Sequence, residues 1–401
     1  MAQKQKVKVA IIGCGTICKN IYAPNLANKF YITDLVGCAD RIPERAAALA
    51  EKYNIKQMTN EEIYNDPEIE IVVNLTNPDS HYEVSKDAMN AGKNVYSEKM
   101  MAVTLEEGKE LYALAKEKCV YYIIGPDTFL GGSWQTARKA IDDGLIGTPV
   151  AMTCYYSSNY QLDGEMTNMN PDNHMFVLHP GGGIPYDFGG YYLHNIINLL
   201  GSIKRVGGFC KTMFPEKTYR NPRHPKYGET MHIDTPTSIA GALEFENGVH
   251  GTLLITSDST MRFQFQVMGT KGILVLNDPN FFGGAVNIIR MGAAAKAPFT
   301  PPTQGPDFSD FMPPELTLPI THPYRDDSRG VGVADLCYAI RNGRKPRLYM
   351  DLGYHAFETI HGIWRSGDSG QMYEMQSRCD RPAPIEALSL SGTAEEYVLD
   401  L

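Results

Sequence analysis

Apolar residues along this chain follow two rhythms. In its first part, continuous apolar runs of strand length alternate with segments whose apolar positions recur every three or four residues. Val7–Ile12, Ile69–Leu75, Asn94–Ser97 and Val120–Ile124 read as strands. Pro43–Tyr53, His81–Ala91 and Leu105–Lys118 read as helices, with Ala46, Ala47, Ala50 and Tyr53 on one face of the first. Unbroken apolar strands separated by helices predict a parallel sheet covered on both faces. Trp134–Asp143 predicts another helix, ending at Gly144. After it the period falls to two. Val150–Ser157, Ile203–Thr212, Thr237–Glu246, Gly248–Ser257, Phe263–Gly269 and Gly272–Leu276 read as strands, punctuated by turns such as Glu246-Asn247-Gly248 and Gly269-Thr270-Lys271-Gly272. Closely spaced strands of this kind predict one large open antiparallel sheet in an α+β second domain. Residues 283–325 are rich in Gly and Pro and read as a long surface loop. Gly332–Asn342 and Tyr354–Ser366 read as helices.

A length of 401 residues accommodates two domains, placed at 1–126 and 127–401, with the helices within 332–366 able to pack back on the first. The apolar fraction of 43% and charged fraction of 21% describe a chain that buries a sizeable core. A net charge of −9, with both signs interspersed, disfavours nucleic acid, which requires a basic face. No apolar run approaches the ~20 residues that span a bilayer, and the N-terminus lacks a signal-peptide core. A cytoplasmic protein with no membrane partner is therefore expected. The 8 cysteines form no C-x-x-C pair, so neither a metal site nor a disulfide framework is expected.

The first strand runs into Gly13-Cys14-Gly15-Thr16-Ile17-Cys18. Gly13 permits a tight turn, and Gly15 lets the backbone approach a pyrophosphate lying on the following helix N-terminus. Cys18 stands where a third small residue is usual. The strand Asp34–Ala39 ends at Asp40, whose carboxylate suits the adenosine ribose hydroxyls and repels a 2′-phosphate; Arg41 follows it. Strand, glycine turn and acid in this order predict a Rossmann domain binding a dinucleotide, NAD in preference to NADP.

Three further segments carry chemistry. Ile71–Leu75 leads into Thr76-Asn77-Pro78-Asp79-Ser80-His81. Asn94–Ser97 leads into Glu98-Lys99-Met100. The second domain contains Gly181-Gly182-Gly183-Ile184-Pro185-Tyr186-Asp187-Phe188-Gly189-Gly190-Tyr191-Tyr192-Leu193-His194. With Ala140–Gly147, these segments resemble the glucose–fructose oxidoreductase and inositol dehydrogenase family, Gfo/Idh/MocA, along the whole chain. The resemblance implies an NAD(P)-dependent dehydrogenase acting on CH–OH groups of sugars, polyols or glycosides, including C3 of a glucosyl unit. It implies that Thr76, Asn77, Pro78 and His81 line the cofactor, that Glu98 contacts the nicotinamide ribose, and that Lys99 points at the substrate hydroxyl. Asp187 and Tyr191 would close the site from the second domain. Met100 replaces the proline usual after Glu-Lys, and Tyr191 stands where many members carry His. Asp127, His179 and His194 are additional candidate substrate contacts, and His174 lies in the same polar loop as His179.

Hydride transfer from a secondary alcohol also releases a proton, so a base is required. Lys99 would serve with its pKa lowered by burial beside a positive nicotinamide. Asp187 and Tyr191, four residues apart, share one face if the segment is helical. The same residues suit a redox-neutral, NAD-retaining enzyme that cleaves glycosides, and, without turnover, a sensor of NAD and a sugar. An exposed face of the second sheet predicts a homodimer or larger homo-oligomer.

Overall fold

The computed structural model describes residues 4–158, 179–219, 222, 226–290, 315–388 and 396–400. The first sheet contains β1 (Val7–Ile12), β2 (Thr33–Ala39), β3 (Lys56–Gln57), β4 (Ile71–Asn74), β5 (Asn94–Ser97) and β6 (Tyr122–Ile124), in the order β3-β2-β1-β4-β5-β6. Every pairing is parallel. β4 and β6 are buried along their whole length, as strands covered on both faces must be. The connecting helices are α1 (Ala23–Asn28, entered through a π turn at Cys18–Tyr22), α2 (Pro43–Tyr53), α3 (Asn60–Asn65), α4 (His81–Asn90) and α5 (Leu105–Lys118). Capping boxes start two of them: Thr59 with Glu62, and Thr104 with Glu107, each satisfying backbone N–H groups that a helix N-terminus leaves free. On α2 the buried residues are Ala46, Leu49 and Ala50, and Ala47 is exposed. The expected face is thus rotated toward Leu49, because the larger side chain takes the core.

After α6 (Gly132–Asp142) the chain builds a nine-stranded sheet. Its strands are β7 (Pro149–Ser157), β8 (Ile203–Lys211), β11 (Ser238–Phe245), β12 (His250–Thr256), β13 (Arg262–Gly269), β14 (Gly272–Leu276), β15 (Val286–Arg290), β16 (Glu315–Leu318) and β17 (Tyr373–Glu374), in the order β16-β15-β14-β13-β7-β12-β11-β8-β17. A separate hairpin pairs β9 (Glu216–Thr218) with β10 (Thr230–His232). The large sheet is mixed, not wholly antiparallel, since β7 and β12 run parallel. Period-two alternation records which face is buried; it carries no information on a neighbour's direction. Residues 283–325 are also more than a loop. β15 extends the sheet beside β14, and β16 pairs with β15. Their short alternation was masked by the intervening Gly- and Pro-rich sequence, of which 291–314 lie outside the described residues.

One face of the large sheet is covered by helices α7 (Ile184–Leu200) and α9 (Met350–Ser369); α8 (Val331–Asn342) and α10 (Tyr397–Asp400) complete the chain. α9 lies on the sheet so closely that a Cβ at Gly241 would sit 2.6 Å from Ile363 Cδ1. The same helix touches the first sheet, where a Cβ at Gly353 would meet Ile124 at 2.7 Å. α8 is tied to the start of β4, in the middle of the first sheet, by Arg341, whose guanidinium donates to both Glu70 oxygens. Among the described residues no helix is long and apolar enough to cross a membrane.

Candidate active site

The glycine turn after β1 is built around close backbone approach. Gly13 has φ +101°, and a Cβ there would lie 2.6 Å from the Leu75 carbonyl, so only glycine fits between β1 and β4. Gly15 faces open space. Asp40 closes the turn from β2: Oδ2 accepts from Cys14 N at 2.6 Å and Oδ1 from Ile42 N at 2.8 Å. Gly13, Gly15, Asp40, Arg41, Thr76 and Asn77 all line one cleft of about 510 Å³ along the C-terminal strand ends. Parallel α/β sheets bind their ligands at such a crevice. The open space at Gly15 and the carboxylate at the β2 end fit an adenine dinucleotide. Thr16 is exposed and Ile17 half-buried on the turn that follows, and Pro78 is half-buried beyond Asn77. Cys18 is fully buried, so its small side chain takes the helix–strand contact expected of the third motif position.

One strand along, Glu98, Lys99 and Met100 leave the end of β5 through a cis Lys99–Met100 peptide. Glu98 is buried; it accepts from the Tyr22 hydroxyl and, through Oε2, from Lys99 N at 3.0 Å. The Lys99 ammonium hydrogen-bonds Asp187 Oδ1 and lies 5.2 Å from the centre of the Tyr191 ring. The helix carrying these partners, α7, comes close because of paired glycines. A Cβ at Gly190 would lie 3.2 Å from Pro126, and one at Gly189 2.6 Å from Ile360. Asp187 sits in the first turn of α7, where the helix dipole favours a carboxylate, and not at its N-cap. The i,i+4 spacing then sets Asp187 and Tyr191 on one face, and Lys99 meets both.

Burial alone would push the Lys99 ammonium down, but Asp187, the Tyr191 phenol and Glu98 outweigh it and hold the lysine above its ordinary value. Burial raises the Tyr191 phenol, opposed by Lys99 and Arg329. Arg329 was not found from sequence. Its guanidinium stands 5.6 Å from the Tyr191 ring centre and donates to Tyr191 Oη at 3.4 Å, while it also grips Asp327 and Asn280. Its signal was a charged run, Arg325-Asp326-Asp327-Ser328-Arg329, placed directly before a helix; nothing in that run points to a tyrosine 138 positions away. Tyr22 was likewise unread, since its contact with Glu98 depends on the π turn.

Other candidates are occupied by the fold. Asp127 is fully buried, and its Oδ2 accepts from Gly330 N at 2.8 Å and Gly332 N at 2.9 Å, which anchors the start of α8. His194 is buried with Nδ1 2.9 Å from the Pro126 carbonyl, and burial pushes its imidazole down to about 4. His81 is buried with its ring between the Met100 and Thr76 carbonyls, so it joins the two strand-end turns from behind. His179 is exposed and pairs with Asp234 at 3.2 Å. His174 lies outside the described residues.

Comparison with known proteins fits this geometry. A family model described as an NAD-binding Rossmann fold oxidoreductase matches residues 7–125, and the GFO/IDH/MocA C-terminal domain matches residues 134–275. The chain belongs to the GFO/IDH/MocA oxidoreductase family. It is 25% identical to scyllo-inositol 2-dehydrogenase (NAD(+)) of Bacillus subtilis, over 68% of this chain and 74% of that protein. The fold matches levoglucosan dehydrogenase solved with NADH, at TM-score 0.73 and 21% identity, covering 93% of this chain and 100% of that one. The chain spans about half the length of other relatives that it matches: two uncharacterized oxidoreductases of Schizosaccharomyces pombe, 30% and 33% identical over 49% of this chain, are each covered over 52% of their length.

Proposed function

We propose that the protein oxidises a secondary hydroxyl of a sugar, polyol or glycoside with NAD as hydride acceptor, and that C3 of a glucosyl unit is the first position to test. The observation that carries this reading is the half-buried Lys99–Asp187 ion pair set against Tyr191, one strand along from the dinucleotide cleft. Relatives named for inositol and levoglucosan support a ring-shaped polyhydroxylated substrate. In this reading Gly13, Gly15, Thr16 and Ile17 receive the pyrophosphate, and Asp40 with Arg41 the adenosine ribose. Thr76, Asn77, Pro78 and Glu98 flank the nicotinamide end. His81, Asp127 and His194 act behind the site through their backbone contacts, and His179 stands at the second domain's rim.

When bound, the oxidised nicotinamide supplies the hydride acceptor and a positive charge. The proton path belongs to the chain. Lys99 Nζ takes the proton of the substrate hydroxyl, and Asp187 stabilises the ammonium that results. Because Asp187 already favours that ammonium, oxidation requires Lys99 to lose its proton first, whereas carbonyl reduction uses it directly. Arg329 occupies a lone pair of the Tyr191 oxygen, which leaves the phenol hydrogen to donate to the same substrate oxygen.

NADH absorbance on mixing protein, NAD and a panel of free sugars, inositols and glycosides tests the proposal, with Lys99→Ala as control. NADH formed with one ligand class and lost in the variant is the expected result. An undiminished Lys99→Ala enzyme overturns it. A silent panel, with NAD recovered from denatured protein, would favour redox-neutral glycoside cleavage or a sensor instead.

The reading extends to assembly as a homo-oligomer. Phe209, Ala240, Leu254 and Tyr155 are successive cross-strand partners on the open face of the large sheet, and Phe209 is 64% exposed. Sedimentation equilibrium is expected to show a dimer or larger species that Phe209→Glu weakens.

A further inference from the structure

Tyr191 and Tyr192 are consecutive on α7, and their hydroxyls serve two different places. Arg329 Nη2 donates to Tyr191 Oη at 3.4 Å and to Asn280 Oδ1 at 2.7 Å, so one guanidinium nitrogen separates the Tyr191 phenol from the loop that follows β14. Tyr192 Oη donates to Asp278 Oδ1 of the same loop at 3.1 Å. Against this loop lies a cavity of about 560 Å³, walled in part by Phe263, Asn277, Asp278, Asn280, Phe281 and Arg329. None of Lys99, Asp187 and Tyr191 lines it. Its volume falls within the ~300–1,000 Å³ typical of small-molecule sites.

The wall is preformed. Trp134 Nε1 donates to the Phe281 carbonyl at 2.9 Å, Ser133 N to the Phe282 carbonyl at 3.2 Å and Ser133 Oγ to the Gly284 carbonyl at 2.6 Å. The start of α6 thus fixes the loop's backbone, while the Phe281 residue on it stays 61% exposed. Both bonds to the Asp278 carboxylate fall on Oδ1, the second from Asn280 N at 2.9 Å. Asp278 Oδ2, the Asn277 side-chain amide and Asn280 Nδ2 make no hydrogen bond among the described residues, and all of them keep accessible surface on half-buried residues. Charge narrows the class of occupant. Arg329 Nη1 is held by both Asp327 oxygens, Lys29 matches Asp326, and Arg325 Nε and Nη2 donate to the His322 and Ile320 carbonyls. What stands open is a carboxylate oxygen, two amides and an aromatic face. The carboxylate repels anions and accepts from hydroxyls, the amides both donate and accept, and the ring covers a C–H face. A neutral polyhydroxylated ring complements all three.

The geometry points to a subsite for a second sugar ring: the substrate is a disaccharide whose reacting ring meets Lys99 and Tyr191 and whose other ring lies on Phe281, its hydroxyls on Asp278, Asn277 and Asn280. This assignment rests on the dehydrogenase reading above. The test sets maltose, cellobiose and gentiobiose against methyl α- and β-glucoside on the full-length protein. In calorimetric titration of the NADH-loaded protein, one disaccharide is expected to bind about tenfold tighter than either glucoside, and kcat/KM for NADH formation should favour it by a similar factor. Phe281→Ala should bring both ratios toward one, and Phe281→Trp should restore them. Asn277→Ala should lower the disaccharide's affinity while the melting temperature holds, since that amide bonds nothing else in the described chain. The inference is overturned if no disaccharide binds tighter than the glucosides, or if Phe281→Ala and Asn277→Ala both leave the preference intact. Oxidation of glucosides and disaccharides alike, without preference, sinks the subsite and spares the dehydrogenase. Tight, Phe281-dependent binding of a disaccharide that yields no NADH does the reverse.

Discussion

The two sides of the candidate active site are made in opposite ways. The dinucleotide side is backbone: Gly13 fixes the turn with its N–H on the Ala39 carbonyl, Gly15 leaves open space beside it, and Asp40 is a half-exposed carboxylate bonded to Ile42 N two residues on. The side facing the substrate is half-buried charge. The Lys99 and Asp187 side chains are only 14% and 15% exposed, and they come from segments 88 positions apart. A backbone site is preformed and tolerant, because its groups are fixed by the turn itself. A half-buried ion pair is coupled, since each partner sets the protonation and desolvation cost of the other. Changes on the charged side should therefore alter chemistry and pH dependence, and changes on the backbone side should alter cofactor affinity.

The largest effect is expected at Lys99. Lys99→Ala should lower kcat by about 10³-fold, within the range for a lost general base, while NAD affinity measured by fluorescence titration stays within about threefold. Equal loss of both would erase the distinction between the two sides. Next comes Asp127, the carboxylate behind the site. Asp127→Ala strands the Gly330 and Gly332 N–H groups and should cost about 2–4 kcal/mol in urea unfolding, with KM little changed. Burial first of all raises the Asp127 carboxyl from its ordinary value to about 7. The folded protein thus holds a proton that the unfolded chain releases near pH ~4. Its contribution to stability is full below that pH, is lost as pH rises through about 7, and should vanish from the profile of Asp127→Asn.

Asp187→Asn sharpens the comparison. It removes the carboxylate that holds Lys99 up, so burial lowers the lysine. The rise of oxidation rate with pH should shift downward by about 1–3 pH units, alongside a moderate fall in kcat. A profile that does not move would show that Asp187 only shapes the site. The smallest effect is expected on the backbone side. Asp40→Ala should raise the KM for NAD by about tenfold, near 1.4 kcal/mol, and narrow the preference over NADP, with kcat nearly unchanged.

The chain's own order already specified five of the six strands of the parallel sheet, the glycine turn with Asp40, and the segments that supply Lys99, Asp187 and Tyr191; the two-residue edge strand β3 was too short to show. These features are local: a strand's apolar run, a φ that only glycine adopts readily, and a helical i,i+4 pair each depend on a few adjacent residues. The position of Tyr191 against Lys99 depended on more, because Gly190 must let α7 approach Pro126 and Lys99 while Gly189 admits Ile360 of α9. Features that rest on distant residues were decided only in three dimensions. The parallel pairing of β7 with β12, the reach of Arg329 to Tyr191 and the burial of Asp127 under α8 have no local signature. Neither has the sign of the shift at Lys99. Burial and a carboxylate pull an amine in opposite directions, and only the packed structure sets the distances that decide between them.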